Sequence, residues 1–292
     1  MNHIIWSLTY LAALKFSGDH REAIKIADAL SMRASSLEDL RRICDKGCPG
    51  VSVDYLRALS AEIPDPDGLT REEMAIQLLI KDFAARAIRM IKSITVEDFI
   101  EKGGANPFLI AALQISDFEE LARFYTYQRV GRSILTSFGF TLEKVIRTLS
   151  KGRKGRWWDI ETKIGGKKYY ISVKSGPYDM DKDQVEHFAD RAEEVTGGVP
   201  IIAITYGKQP SDVIKRTLED RGLSVSKNLY IGRGLYALLT GQNDYYRRLL
   251  EVIGTASAGV DIISLIEEKA RELAVELRRR YHSMSDFLSD MF

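Results

Sequence analysis

Apolar residues recur three and four positions apart through residues 4–16, 23–32 and 74–91, the spacing of a helix with one buried face, so most of the first hundred residues are predicted to be helical. Residues 63–68, Ile-Pro-Asp-Pro-Asp-Gly, interrupt that periodicity and predict a loop or hinge. A second interruption at 103–107, Gly-Gly-Ala-Asn-Pro, is followed by helical spacing over 108–113 and 118–127.

The pattern changes after Arg132. A helix over 133–149, with Leu135, Leu142, Val145, Ile146 and Leu149 as its apolar stripe, leads into two strand-like runs, 157–164 and 168–175. Gly165-Gly166 separates the runs and signals a hairpin. Residues 181–195 place Val185, Phe188, Ala189, Ala192 and Val195 on one helical stripe. Residues 199–206 form a nearly unbroken apolar run, as expected of a strand covered on both faces. A helix over 211–221 and a short strand over 228–231 follow, and helical spacing returns over 243–253 and 260–281. This order predicts an α/β fold: a mixed central sheet flanked by helices at residues 116–242, between a helical N-terminal region at 1–115 and a helical C-terminal extension at 243–292.

Composition narrows the class without naming a partner. The 292 residues are 45% hydrophobic, enough for a full core, and no apolar run approaches the roughly 20 residues of a membrane span. The start of the chain has neither the basic flank nor the long apolar stretch of a signal peptide, so a cytoplasmic location is expected. With 42 basic and 41 acidic residues the formal net charge is +1, and any polyanion-binding surface must be local. Cys44 and Cys48 have no second ligand pair nearby to complete a zinc site and are expected as reduced thiols.

The chemistry concentrates in Trp157-Trp158-Asp159-Ile160-Glu161 on the first predicted strand and Ile171-Ser172-Val173-Lys174 on the second. Alternation along each strand brings Asp159 and Lys174 to one edge of the sheet. A carboxylate and an ammonium there suit a phosphodiester: the carboxylate holds Mg²⁺, which takes oxygen ligands and keeps several waters, while the lysine orients or deprotonates an attacking water. In these residues the chain resembles the PD-(D/E)xK nuclease superfamily, and among its members the type II restriction endonucleases. The sheet is accordingly expected to be a restriction-endonuclease-like core. Two departures stand out, because Trp158 occupies the proline position and Ser172 the usual acid position.

The resemblance implies a second metal-binding carboxylate from elsewhere. Glu143 is favoured, through Gly139 and Glu143 in a G-x-x-x-E arrangement on the helix before the hairpin; the segment at 133–143 and Asn106-Pro107-Phe108-Leu109 also look like parts of some restriction endonucleases. Glu186, twelve residues after Lys174, and Glu161, on the Asp159 side of its strand, are the substitutes. The implied catalytic set is thus Asp159, Lys174 and Glu143, with Asp159, Glu143, Glu186 and Val173 as metal ligands for Mg²⁺. The basic run Lys151, Arg153, Lys154 and Arg156 is expected to touch DNA phosphates, with Lys163, Lys167 and Lys168 extending the charge, and Lys182 and Gln184 are nominated to read base edges. Each has a plainer reading: Glu143 paired to Arg147 four residues on, a solvated basic loop, and one core and one exposed tryptophan at 157 and 158. His3, His20, His187 and His282 lack paired spacing and are given no catalytic role.

The implied activity is Mg²⁺-dependent, sequence-specific hydrolysis of double-stranded DNA that leaves 5′-phosphate ends, by a homodimer if the target is palindromic. The resemblance also implies a cognate DNA methyltransferase that is not a physical partner. A repair nuclease or junction resolvase of the same fold, and an inactive DNA-binding protein, are the alternatives.

Overall fold

A computed structural model describes residues 3–60, 68–100 and 105–292. The loop expected at 63–68, apart from Gly68, and the Gly103-Gly104 part of the second interruption lie outside the described residues. Helices α1 (His3–Ser17), α2 (His20–Arg33), α3 (Leu37–Asp45), α4 (Val53–Ser60), α5 (Arg71–Lys92), α6 (Glu97–Ile100), α7 (Pro107–Ala112) and α8 (Phe118–Ser150) come first. Strands β1 (Ile160–Ile164) and β2 (Lys167–Lys174), helix α9 (Lys182–Glu193) and strand β3 (Val199–Ile204) follow. The remainder is α10 (Asp212–Asp220), α11 (Val225–Asn228), β4 (Leu229–Ile231), α12 (Arg233–Thr240), α13 (Tyr245–Ala256), α14 (Ile262–Arg280) and α15 (Met284–Ser289).

Packing divides the chain into two compact units, one of Met1–Asp82 with Gly139–Ala258, the other of Phe83–Phe138 with Gly259–Phe292. This interleaved division replaces the three consecutive regions expected at 1–115, 116–242 and 243–292. Its physical basis in the second unit is a core shared by segments far apart in sequence: Phe99, Phe118, Leu121 and Tyr125 are buried with Leu273, Leu277 and Phe287. Asp98, buried there, accepts from the Thr95 backbone N–H at 2.9 Å and pairs with Arg129 at 3.2 Å, so its charge is compensated inside the helical cluster.

The first unit carries the sheet. Its strands lie in the order β1-β2-β3-β4, with β1 antiparallel to β2 and the other two pairs parallel, a mixed sheet flanked by helices as expected. Gly165 and Gly166 both have positive φ, 55° and 84°, the conformation a two-residue hairpin turn of the primed type demands. β3 lies between two strands with Ile201, Ile202, Ala203 and Ile204 at 0% exposure, which accounts for its continuous apolar sequence. α9 begins on Asp181, whose carboxylate accepts from the Gln184 backbone N–H at 2.8 Å, and turns Val185, Phe188 and Ala192 onto Ile202, Ile204, Ile214 and Leu218. Truncating Phe188 to alanine removes an aromatic ring from that core, a loss of about 3–5 kcal/mol.

Several local expectations change. α1 is buried along ten successive residues, Ile5 to Leu14, so it is a core helix rather than one with a single apolar face. The helices expected at 118–127 and 133–149 are one continuous helix, because Gly131 interrupts neither the backbone bonds nor the spacing. Leu135, assigned to the apolar stripe, is 74% exposed, whereas Leu142, Val145, Ile146 and Leu149 are buried. Cys44 and Cys48 form a disulfide rather than free thiols. Lys46 caps α3 and Gly47, at φ +111°, turns the chain back, bringing the two Cα atoms to 4.6 Å. Among the described residues, no helix is long and apolar enough to cross a membrane.

Candidate active site

The first predicted strand begins three residues later than its sequence pattern implies. Trp157, Trp158 and Asp159 stand before β1, because the preceding loop folds back on itself: the Gly155 N–H donates to the Trp158 carbonyl at 3.0 Å, and Arg153 exchanges two backbone bonds with Glu161 at 2.9 and 2.8 Å. Asp159 therefore sits at a point where β1 leaves the ladder. Its Oδ2 accepts from the Val173 backbone N–H at 2.7 Å and, more weakly, from the Ser172 hydroxyl at 3.5 Å. Those two residues immediately precede Lys174, so the strand end that carries the lysine also holds the carboxylate. On the other edge of β2 the Thr205 N–H donates to the Lys174 carbonyl at 3.0 Å. Peptide groups alternate along a strand, so the N–H and C=O of Val173 both face the Asp159 side.

Glu143, the glutamate favoured from sequence, lies on α8. Gly139 lies where an added Cβ would stand 3.2 Å from the Ser175 hydroxyl, just past the end of β2, so that side chain would have to give by a few tenths of an ångström for a larger residue. One turn on, Glu143 is half-buried and paired with the Arg147 guanidinium, the arrangement its i,i+4 spacing allows. Burial pushes the Glu143 carboxyl above the ordinary glutamate value. Arg147 opposes that rise, the negative charge of Asp159 adds to it, and Lys154 pulls against it. Asp159 is thus near enough to perturb Glu143, and one arginine does not fully offset the burial of the pair. Arg147 is itself nearly buried, and its Nε finds no hydrogen-bond partner among the described residues.

The other glutamates are engaged elsewhere. Glu161 pairs with Arg153 at 2.8 Å and lies 4.0 Å from Lys168, in a pocket also lined by Asp19, Arg21 and Lys151. Glu186 pairs with Lys182 on its own helix at 3.5 Å and does not line the groove beside Lys174.

Of the basic residues, Lys151 reaches Glu72 at 3.4 Å and Arg153 is committed to Glu161, while Lys154 is exposed and acts on Glu143 through space. Arg156 lies over the Trp157 ring. Lys174 Nζ donates to Gln184 Oε1 at 3.2 Å, which joins the end of β2 to the first turn of α9. Beside that bond runs a groove lined by Trp157, Ser172, Lys174, Gln184, His187 and Arg191. Arg191 was not singled out from sequence and His187 was given no catalytic role, although Gln184, His187 and Arg191 are spaced three and four apart and so share one face of α9. Tyr178 and Tyr206, exposed past the ends of β2 and β3, form an aromatic rim at the carboxyl ends of the parallel strands, where open α/β sheets bind ligands.

Asp159, Glu143 and the Val173 carbonyl are hard oxygen donors, the set that suits Mg²⁺, which needs only one or two carboxylates and fills its remaining positions with water. They fit such an ion in kind, with Glu143 exchanging its Arg147 contact for it. Among the described residues no group of three or more acidic, histidine or cysteine side chains is gathered closely enough to hold a metal by itself, so water and substrate oxygens would complete the shell. No protein-family model matches the chain, and no curated protein matches it significantly.

Proposed function

We propose that the protein is a Mg²⁺-dependent DNA endonuclease of the type II restriction class. The observation that carries this reading is the carboxylate of Asp159 held on the Ser172-Val173 segment directly before Lys174, within electrostatic reach of the partly buried Glu143. A partly buried carboxylate that one arginine does not fully offset, a second carboxylate near it and the half-buried Lys174 on the adjoining strand end form a site for a cation and a phosphodiester together. Asp159, Glu143 and the Val173 carbonyl would hold the ion, which when bound supplies charge stabilisation to the scissile phosphate and makes a coordinated water more acidic. Lys174 orients the attacking water and balances the charge that develops on the phosphate. Gln184, through its bond to the Lys174 ammonium, limits the positions that the amine explores. Lys154 and Arg156, exposed beside the site, supply phosphate contacts with the salt dependence such contacts carry. A palindromic target would call for a two-fold dimer.

The test is incubation of the purified protein with plasmid or phage DNA and Mg²⁺ beside an Asp159→Ala variant, with the products resolved on a gel. Discrete fragments that the variant does not produce are expected. A smear, or cleavage confined to branched DNA, that still requires Asp159 would assign the chain to repair or junction resolution instead. One observation favours a second reading, an inactive DNA-binding protein: Ser172 occupies the usual acid position and Glu143 already has an arginine partner. Absence of cleavage across Mg²⁺, Mn²⁺ and several DNA sources, with binding retained, would select it.

A further inference from the structure

Trp157 is 60% exposed, whereas the other two tryptophans, Trp6 and Trp158, are 2% and 8% exposed and pack in the interior. An indole left in water at this cost is unusual for a residue whose immediate neighbour is fully packed. It stands two residues before Asp159 and lines the groove that contains Lys174. Two guanidiniums attend it: Arg156 at 5.1 Å from the ring centroid and Arg191 at 5.9 Å, the latter also donating to the Trp157 carbonyl at 3.2 Å. Both guanidiniums lie over the ring, yet Trp157 keeps more than half of its surface exposed, so part of the indole remains open to solvent beside two positive charges.

We infer that Trp157 is a stacking platform for one unpaired nucleobase, with Arg156 and Arg191 receiving the phosphates on either side of it. A flat apolar ring bordered by cations matches a nucleotide, which is a flat π-surface joined to an anion. The faces of a base inside a duplex are covered by its neighbours, so only a base at an end, in a gap or turned out of the helix reaches the indole. The loop from Gly155 to Trp158 that keeps Asp159 out of the β1 ladder is also what presents Trp157, so the base is held next to the candidate catalytic carboxylate. This inference rests on the nucleic-acid reading of the site but not on its being a nuclease.

The test uses the full chain in Ca²⁺, with oligothymidylate of about a dozen residues as the probe and an abasic strand of equal length as the control. Titration of the wild-type protein is expected to quench the exposed-tryptophan fluorescence with oligothymidylate and not with the abasic strand. Trp157→Ala should abolish the quench and weaken oligothymidylate binding about tenfold while leaving abasic-strand binding unchanged; Trp157→Phe, which keeps a ring, should retain most of the affinity. Equal oligothymidylate affinity in wild type and Trp157→Ala, or equal weakening for both strands, would overturn the platform. The two proposals fail separately: a Trp157-dependent quench in a protein that cuts no DNA sinks the nuclease alone, and Asp159-dependent cleavage without that quench sinks the platform alone.

Discussion

Glu143, on α8, and Glu161, on β1, have contrasting electrostatic surroundings. Glu161 has Arg153 at 2.8 Å and Lys168 at 4.0 Å, with Lys151 and Arg21 lining the same pocket, so its charge is more than matched. Glu143 has one arginine and is partly buried, with the negative Asp159 near it, and its carboxyl is raised by that burial. A carboxylate already saturated with cations has little to gain from another ion. One that shares a low-dielectric corner with a second carboxylate gains a great deal. The contrast teaches that the candidate glutamates are better ranked by missing positive charge than by position along a strand, and that ranking places Glu143 ahead of Glu161 in the proposed site.

The largest effect is expected at the residue both accounts need. Asp159→Ala should reduce Mg²⁺-dependent cleavage by about 10²–10³-fold or more, read by single-turnover assay, with DNA binding in Ca²⁺ retained. Wild-type cleavage in that variant would remove the site altogether. Next comes the pair itself: Glu143→Gln should lose about 10–100-fold in rate and in Mg²⁺ affinity, followed by calorimetry, while Glu161→Gln stays within a few-fold of wild type. The reverse ranking would make Glu161 the ligand and turn the electrostatic contrast upside down.

A pH experiment tests the surroundings of Glu143 without cleavage. Because the folded state raises the Glu143 pKa above its ordinary value of 4.5, folded protein binds a proton that unfolded protein releases in that window. Its contribution to stability is therefore present below 4.5 and lost as pH rises through the raised value. Chemical denaturation from about pH 4 to 7 should show the stability of wild type falling relative to Glu143→Gln as pH increases. A flat difference would mean that Arg147 fully compensates the carboxylate. The smallest effect is expected at Arg153→Ala. Its ion pair is more than half exposed on the arginine side, so stability should drop by no more than about 1 kcal/mol, and a larger loss would show that the fold-back of the loop depends on it.

Much of the sheet region was legible from local pattern. Gly165-Gly166 announced a hairpin turn, the β-branched run at 199–206 announced a strand buried on both faces, and the stripe of Val185, Phe188 and Ala192 announced the helix that Asp181 caps. The short helices α3, α4, α6, α11, α12 and α15 were missed, since four to nine residues hold too few turns for a period to emerge from composition. The start of β1 was placed early because Trp157 and Trp158 look like strand residues until the return of the Lys151–Arg156 loop is known.

The sequence by itself determined the elements whose cause lies within a few residues: the hairpin, α9 and β3. Only the tertiary structure decided which residues 83–138 and 259–292 share a core with, that Cys44 meets Cys48, and which glutamate senses Asp159. The physical reason is the range of the forces involved. Turn and cap preferences act through neighbouring backbone atoms, whereas burial and charge compensation are set by whatever the fold brings close, and residues as alike in sequence as Glu143, Glu161 and Glu186 diverge once one is partly buried with Asp159 acting on it while all three have a basic partner.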